Sequence, residues 1–426
     1  MQKLSTFIAF LATITTVTSQ SFQQISTGTG YNKQSYIKLI DGSQKQISND
    51  AWDLAFTAFG FQDAGIFINE SSGSTQGQNL PLTELYYAKT DDFNASVKLD
   101  SIQDQKFLNS EESWNYGALN ELRNRTNPFD YGWGLYNPSN NSVKGNKVFV
   151  IKLRNGEYRK LIIESLIGTT YNLKYAKLDG TGEVTKSLNK VTDNKGQKLM
   201  YFSFSTNNTV DVLPVGGFDL MYGRYISLAQ DPNGTIVQQY NVTGVLTGPG
   251  ILTAKATGVN PATVSYNDYK DNMSTVTDII GFDWKTLSGT SWVIDDKRVF
   301  FVKTADNKVW KLRFIDFEGS ATGNAVFEKT ELGTSSSSEL AGVNTGIFPN
   351  PVENELVVSL EVETGAGQLN VNVTDITGKS MVTQYVNGQN RFNALSFDTS
   401  EWNKGIYLVR ISNTAGHSLV KKVVKM

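Results

Sequence analysis

The sequence predicts an all-β protein, with two tandem antiparallel β-sheet domains followed by a C-terminal immunoglobulin-like β-sandwich. The first observation is composition: glycine (37), tyrosine (18) and phenylalanine (23) are frequent among the 426 residues, and such a composition favours sheet over helix. The second is an internal repeat in the central part of the chain, and the third is a series of short alternating segments at its end. Because cysteine is absent, packed sheets must supply the stability that disulfides would otherwise give.

The chain begins with an expected signal peptide, residues 1–19. Lys3 provides the positive charge, and an apolar run extends from Phe7 to Val17, which is too short to span a membrane. Val17 and Ser19 are small enough for a cleavage site directly after Ser19. No later stretch reaches about 18 apolar residues, so no transmembrane helix is expected.

The repeat is a predicted β-hairpin whose two copies lie 151 residues apart, at 148–161 and 299–312. Both copies have an apolar strand ending in lysine, a turn, and a second strand ending in Lys-Leu. The turns Asn155-Gly156 and Asp306-Asn307 contain residue types that tolerate the positive φ angles of tight hairpins. The pattern therefore indicates a duplicated β unit.

An aromatic-Asp-Leu strand precedes each hairpin, as Trp52–Phe56 in the first copy and Phe218–Tyr222 in the second. These strands lie 166 residues apart, so the first copy carries about 15 more residues, which we place in the polar and aromatic segment Asn109–Asn146. We expect tandem β domains at residues 20–185 and 186–332. The alternative is one large sheet that contains two similar hairpins.

A Ser-rich linker, residues 333–346, separates these domains from a tail at residues 347–426. Apolar and polar residues alternate in Leu369–Val373, as a half-buried strand requires. Gly405–Ile411 and Leu419–Lys425 are further predicted strands. About six or seven short strands in this length are typical of a small β-sandwich.

The tail resembles the type A C-terminal sorting domain of the Bacteroidetes type IX secretion system. The residues that carry the resemblance are Pro349-Asn350-Pro351, Gly378-Lys379, Gly405-Ile406-Tyr407 and Lys421–Lys425. The resemblance implies the secretion machinery and its sortase as partners, passage through the periplasm and across the outer membrane, and removal of the tail. The cargo would then be attached to the cell surface or released. The alternative is an ordinary immunoglobulin-like appendage.

The strand Trp52–Phe56, followed by the hairpin at 148–161, resembles the HmuY family of Bacteroidetes haemophores. That resemblance implies a curved, mostly antiparallel β structure that grips haem with two side chains, histidine in the best-known members and methionine in some relatives. The one histidine, His417, lies in the tail that should be removed. Met221 and Met273 are therefore the candidate haem ligands, and packing of Met221 in an apolar core is the alternative.

The residue inventory excludes several kinds of site. One histidine and no cysteine leave no Ser-His-Asp or Cys-His triad and no common zinc site in the mature protein. A net charge of −2 gives no electrostatic case for nucleic acid. No phosphate-binding glycine motif is present.

An acidic and aromatic segment supplies the remaining candidates. Glu111 and Glu112 precede Trp114 and Trp133, and such a mixture could line a sugar site. Adjacent glutamates on a strand point to opposite faces and make a poor catalytic pair, so we expect a protein that is not an enzyme. The sequence thus predicts an exported binding protein of HmuY-like type, with haem as candidate cofactor. The alternative is a carbohydrate-binding or adhesive protein with Trp114 and Trp133 as glycan contacts.

Overall fold

The computed structural model describes residues 20–60, 63–102, 106–230, 236–332, 343–362, 367–375, 378–387, 392–414 and 418–426. Within these ranges the chain is all-β, and its helices are single 3-10 turns of three residues. The residues up to Leu332 form one compact unit, and those that follow form a second. The expected signal peptide, the greater part of the expected linker, and His417 lie outside the described residues.

The described part of the first unit contains twenty-four strands. In chain order they are β1 (Gln20–Ser26), β2 (Lys33–Ile37), β3 (Gln44–Ser48), β4 (Leu54–Thr57), β5 (Ile66–Ile68), β6 (Ser74–Thr75), β7 (Gln78–Asn79), β8 (Glu84–Tyr87), β9 (Gly134–Asn137), β10 (Ser142–Gly145), β11 (Val148–Lys152), β12 (Tyr158–Ile167), β13 (Thr170–Lys177), β14 (Val184–Asn189), β15 (Leu199–Ser203), β16 (Asn208–Val210), β17 (Leu220–Gln230), β18 (Ile236–Thr247), β19 (Leu252–Ala256), β20 (Lys285–Ser288), β21 (Ser291–Ile294), β22 (Val299–Lys303), β23 (Val309–Phe317) and β24 (Asn324–Leu332). The 3-10 turns are Thr29–Tyr31, Leu99–Ser101, Ala118–Asn120, Tyr266–Asp268, Lys270–Asn272 and Gly319–Ala321.

Strands β4–β16 form lobe 1 of this unit. Its larger sheet has the order β14-β13-β12-β10-β9, with β11 and β8 continuing from β12, and its smaller sheet has the order β16-β15-β4-β5. Both sheets are antiparallel. Their facing sides enclose a core with no solvent exposure at Phe56, Trp133, Phe149 and Leu161.

Lobe 2 combines β17–β24 with the three N-terminal strands β1–β3. The larger sheet has the order β1-β24-β23-β22-β19, and the smaller has the order β18-β17-β2-β3. Tyr222, Trp284, Phe300 and Leu312 are buried between them. The first three strands of the chain thus complete a lobe whose other strands come some 170 residues later.

The two lobes share the same strand registers. Phe149 pairs with Leu161 in lobe 1, and Phe300 pairs with Leu312 in lobe 2. The predicted turns are confirmed, because Gly156 has a φ of 87° and Asn307 a φ of 64°. The duplicated hairpin is therefore a duplicated structure.

The aromatic-Asp-Leu strands also have matching contacts. The Asp53 carboxylate accepts the backbone N–H of Phe204, which follows β15, at 2.7 Å. The Asp219 carboxylate accepts the N–H of Leu39, which follows β2, at 2.8 Å. Strand β2 therefore occupies in lobe 2 the position that β15 occupies in lobe 1.

This arrangement differs from the expected tandem of residues 20–185 and 186–332. Residues 20–48 pair with strands of lobe 2, whereas residues 199–210 pair with strands of lobe 1. The repeat signal lies in the middle of each copy, in strands that are sequential in both lobes. It does not indicate whether the strands that complete each lobe come before or after that middle part in the sequence.

The second unit is a seven-strand sandwich over the described part of the tail, which agrees with the predicted β-sandwich. Its strands are β25 (Val343–Phe348), β26 (Glu355–Val362), β27 (Gln368–Asp375), β28 (Ser380–Asn387), β29 (Phe392–Asp398), β30 (Gly405–Asn413) and β31 (Ser418–Lys425). They form sheets with the orders β25-β26-β29 and β28-β27-β30-β31. The alternating residues Leu369, Val371 and Val373 face the common core, as half-buried strands require.

Candidate ligand-binding site

A cavity of about 60 Å³ lies where the smaller sheets of the two lobes meet. Its wall is largely aromatic, and the rings that line it are those of Tyr36, Trp52, Phe67, Trp114, Tyr201 and Tyr225. Trp52 and Tyr201 make an edge-to-face contact with 4.9 Å between their centroids. The residues at the matching positions, Phe218 and Tyr36, make the same contact at 5.0 Å. Packing of equivalent rings from both lobes thus fixes the wall.

Glu70 brings a carboxyl group into this aromatic wall. Its side chain is 5 % exposed, and the backbone N–H of Asn109 donates to its Oε1 at 2.7 Å. Burial raises the pKa of Glu70 to about 8, because the charged form loses its hydration. The carboxyl is therefore largely protonated at neutral pH.

A second carboxyl, that of the half-buried Glu111, lines the cavity and interacts with Asp278. Burial and the neighbouring Asp278 carboxyl raise the pKa of Glu111, and burial also raises the pKa of Asp278. Two close carboxyls with like charge favour sharing a proton. The Oε1 atom of Glu111 and the hydroxyl of Tyr225, which is 4 % exposed, are buried without a hydrogen-bond partner.

Over the described part of the chain, none of these three carboxyls forms an ion pair. Arg224 also lines the cavity. Its Nη2 donates to the Asn241 carbonyl, and its guanidinium lies 5.4 Å from the centre of the Tyr31 ring. Its Nε and Nη1 atoms are buried without a hydrogen-bond partner. The cavity is therefore lined by two carboxyls, Glu70 and Glu111, and by one buried guanidinium that forms no ion pair with them.

The Glu70→Gln variant is expected to be more stable than the wild type at high pH. An unfolded carboxyl loses its proton near pH 4.5, whereas folded Glu70 keeps it up to about pH 8. Folding therefore takes up a proton between these values, and the free energy of unfolding falls as the pH rises. Glutamine has the shape of the protonated acid, so the variant should gain roughly 2–4 kcal/mol at pH 9 and little at pH 4, since one pKa unit corresponds to about 1.4 kcal/mol.

Urea unfolding of both proteins at pH 4 and pH 9 measures this difference. Glu112→Gln serves as the matched control, because Glu112 is exposed and bonds to Arg123 and Arg125 at the surface. An equal pH dependence for wild type and Glu70→Gln would show that Glu70 is ionised in the folded protein.

The two expected haem ligands lie in different places. Met221 is 7 % exposed and lines the cavity. Met273 packs against a separate cluster that contains Ala256, Val299 and Phe301, and it does not line the cavity. Sequence reasoning could not separate them, because thioethers serve equally well as ligands and as core filling.

The two expected glycan contacts also separate. Trp114 is half-buried, lines the cavity, and donates its indole N–H to the Thr247 carbonyl at 2.7 Å. Trp133 has 0 % exposure and donates to the Ala64 carbonyl at 2.9 Å. The Trp133 ring therefore has no exposed surface with which to stack on a sugar in this structure.

Glu70, Tyr225 and Asp278 were missed by sequence reasoning. They lie far apart in the sequence, and each is an ordinary residue in its local pattern. Glu111 was considered only with its neighbour Glu112, which turns towards Arg123 and Arg125 at the surface. The two adjacent glutamates do point apart, as expected, but the relevant partner of Glu111 is Asp278.

In the second unit, the Pro-Asn-Pro motif contacts the last strand. The Nδ2 of Asn350 donates to the Lys422 carbonyl at 3.1 Å, and its Oδ1 accepts the Val424 N–H at 2.9 Å. The motif residues at both ends of the tail therefore form one local structure. Residues 346–426 match the family model of the secretion system C-terminal sorting domain. With this sorting domain, the protein is secreted through the periplasm to the cell surface or the exterior.

A second family model, described as HmuY protein, matches residues 30–179. Among solved structures, apo PinO from Porphyromonas gingivitis is 10% identical, with 74% of this chain and 98% of that chain covered and a TM-score of 0.23. The apo HmuY analog of Tannerella forsythia is 12% identical, with 74% and 96% covered and a TM-score of 0.20.

Dimeric latent PorU from Porphyromonas gingivalis is 10% identical, with 95% of this chain and 34% of that chain covered and a TM-score of 0.18. No curated protein matches the chain. Within the described residues, no helix has the length and apolar character needed to cross a membrane.

Proposed function

We propose that this HmuY-like protein is an exported binding protein, not an enzyme, and that it holds a small ligand in the cavity between its lobes. The observation that carries the proposal is a set of unpartnered buried polar atoms at that cavity, namely Glu111 Oε1, the Tyr225 hydroxyl, and Nε and Nη1 of Arg224. A buried polar group without a partner costs about 1–3 kcal/mol. A ligand that bonds to these atoms would recover part of this cost.

The size of the cavity favours a ligand much smaller than a porphyrin. Pockets for drug-sized ligands are about 300–1,000 Å³, whereas this cavity measures about 60 Å³. Met221 supplies one thioether at the cavity, and Met273 packs in another cluster. Haem binding through Met221 would require the two smaller sheets to move apart.

A haemin titration separates these cases. We expect no saturable Soret shift with the wild-type chain in either the oxidised or the reduced state, because a cavity of about 60 Å³ does not admit the porphyrin ring. The Met221→Leu variant, which keeps the side-chain volume but removes the sulfur, is the matched control. A saturable shift in the wild type that Met221→Leu abolishes would make haem the ligand.

The proposed site itself is tested with a cavity-filling variant, Ala55→Met. Ala55 lines the cavity, and the register of the smaller sheets gives it the position in lobe 1 that Met221 occupies in lobe 2. Thermal unfolding would be followed with a panel of small amines, carboxylates, sugars and haemin. Stabilisation of the wild type that is absent in Ala55→Met is expected for at least one class. If every compound acts equally on both proteins, the cavity is not a binding site.

A further inference from the structure

We propose that a second cavity, distinct from the one described above, binds a neutral saccharide of one or two rings. This cavity measures about 330 Å³, and among the described residues it shares no lining side chain with the first cavity. The inference therefore concerns a further site and does not depend on the ligand of the first one.

Both lobes contribute to the second cavity. Residues 196–199, which lead into β15 of lobe 1, line it together with Phe218 and Asp219, which precede β17 of lobe 2. Residues 304–306, in the turn between β22 and β23, also line it. The buried apolar side chains among the lining residues are those of Leu199, Leu213, Phe218 and Ile251.

The equivalent position in lobe 1 carries an arginine. The 151-residue offset of the repeat aligns Ala305, which lines the second cavity, with Arg154. Arg154 donates from Nη2 to the Asn69 carbonyl at 2.9 Å and from Nη1 to the Pro81 carbonyl at 3.1 Å. Its side chain therefore lies against the chain that follows β5. Alanine has no side chain beyond Cβ, so no such group extends from the lobe 2 position.

The connection beside this position is also shorter in lobe 2. Residues 69–83 join β5 to β8 and include β6 and β7, whereas residues 248–251 join β18 directly to β19. In both lobes the first residue of the connection donates its backbone N–H to the carbonyl of the repeat aspartate, Asp53 at 3.0 Å and Asp219 at 2.8 Å. The second cavity thus lies where lobe 2 has both the smaller side chain and the shorter connection.

Charges of both signs line the second cavity in equal number. Its charged side chains are two lysines and two aspartates, Lys38, Lys198, Asp219 and Asp306. Asp41 and Lys329, which do not line the cavity, also interact with Asp219 and add one charge of each sign. A ligand with a net charge would be attracted by one set and repelled by the other, so the lining favours a neutral ligand.

The lining lysines are bonded to backbone carbonyls and keep further donors. Lys38 donates to the Gly216 carbonyl at 3.0 Å, and Lys198 donates to the Pro249 carbonyl at 2.9 Å. Over the residues that the structure describes, none of the four charged side chains of this cavity is in an ion pair. Because an ammonium group has three N–H donors, each lysine has N–H groups left for a ligand.

Gln197 adds an acceptor to these donors. Its Nε2 donates to the Pro214 carbonyl at 3.0 Å, whereas its Oε1 is buried without a hydrogen-bond partner. A hydroxyl group both donates and accepts, so it can bond to this Oε1, to a carboxylate or to an ammonium group. A ligand with several hydroxyls therefore suits a cavity that offers both donors and acceptors.

The size of the second cavity suits one or two sugar rings. Its volume of about 330 Å³ lies at the lower end of the range for small-molecule pockets, about 300–1,000 Å³. A longer oligosaccharide would extend beyond this space. The C–H groups of a sugar ring can pack on buried apolar side chains such as Phe218 and Ile251, while its hydroxyls bond to the polar ones.

Calorimetric titration of residues 20–426 with glucose, galactose, mannose, maltose and lactose tests the inference. We expect saturable binding of at least one of these sugars, at least threefold tighter than that of glucuronate or glucosamine, which carry a negative and a positive charge. Ala305→Arg places the lobe 1 residue in the cavity and should weaken the binding at least tenfold. The matched control is Ala262→Arg, since Ala262 is exposed and lines neither cavity, and it should leave the binding unchanged.

Gln197→Leu is a second variant, which removes the unpartnered acceptor and should weaken sugar binding at least fivefold. Circular dichroism establishes which variants are folded, and Gln197→Leu decides alone if Ala305→Arg does not fold. Ala55→Met, which fills the first cavity, should bind the sugar as the wild type does.

Absence of binding by every sugar would overturn the inference, as would tighter binding of glucuronate or glucosamine. Undiminished binding by folded Ala305→Arg or Gln197→Leu would have the same effect. Loss of sugar binding in Ala55→Met but not in Ala305→Arg would place the sugar in the first cavity. That result would overturn this inference and leave the proposed function intact.

Discussion

Removal of residues 20–48 is expected to unfold lobe 2. The deletion takes away β1, which pairs with β24 over seven residues, and the β2–β3 hairpin, which pairs with β17. It also removes four hydrophobic side chains with at most 1 % exposure, those of Ile25, Tyr36, Ile37 and Leu39. Each such side chain contributes about 1.5–3 kcal/mol, and their sum is comparable with the whole net stability of a domain, about 5–15 kcal/mol.

Hydrogen exchange is the measurement that resolves this effect by lobe. Amides of β22–β24 should lose protection, whereas those of β11–β13 in lobe 1 should retain more of it. The control is a circular permutant that begins at residue 49, joins Leu332 to Gln20 through about four residues, a length typical of hairpin loops, and ends at residue 48. Because Gln20 pairs with Thr330, the permutant should regain protection in both lobes. Full protection in the deletion variant would contradict the assigned pairing.

Replacement of Trp133 by alanine is expected to lower the free energy of unfolding by about 3–5 kcal/mol, the usual cost of deleting a fully buried aromatic side chain. The ring has 0 % exposure and its N–H bonds to Ala64. Trp284 is its counterpart in lobe 2, 1 % exposed and bonded to the Gly281 carbonyl at 3.1 Å.

Trp284→Ala should therefore have a loss of similar size, while Trp114→Ala, at a half-buried ring, should have a smaller one. Denaturant unfolding of the three variants provides the comparison. If Trp133→Ala cost less than Trp114→Ala, Trp133 would be a surface residue and the assignment of the lobe 1 core would fail.

Features that depend on local pattern could be predicted from the sequence. Alternation identified the strands of the sorting domain, and the repeated Lys-Leu hairpins identified the duplication. The pairing of β1–β3 with lobe 2 could not be predicted in the same way, because it depends on contacts between residues about 300 positions apart, such as Gln20 with Thr330. No local pattern records such a partner.

The candidate site was predicted only in part, for a related reason. Met221 and Trp114 were named because their residue types are chemically conspicuous, and both line the cavity. Glu70 and Asp278 have no distinguishing local context in the sequence. Burial raises the pKa of Glu70, and both residues lie close enough to Glu111 to raise its pKa. Burial separates Trp133 from Trp114, and the sequence pattern is the same for both.

The closure of lobe 2 by the first strands has a consequence for the order of folding. Gln20 and Thr330 pair across nearly the whole length of the unit. The entropy cost of closing so long a loop can be compensated only when nearly the whole unit has been synthesised. A nascent chain can complete lobe 1 first, but β1 has no partner until β24 has emerged. Loss of either β1 or β24 therefore leaves an edge of the same sheet unpaired. The first unit must be complete before its fold is closed and resistant to proteases.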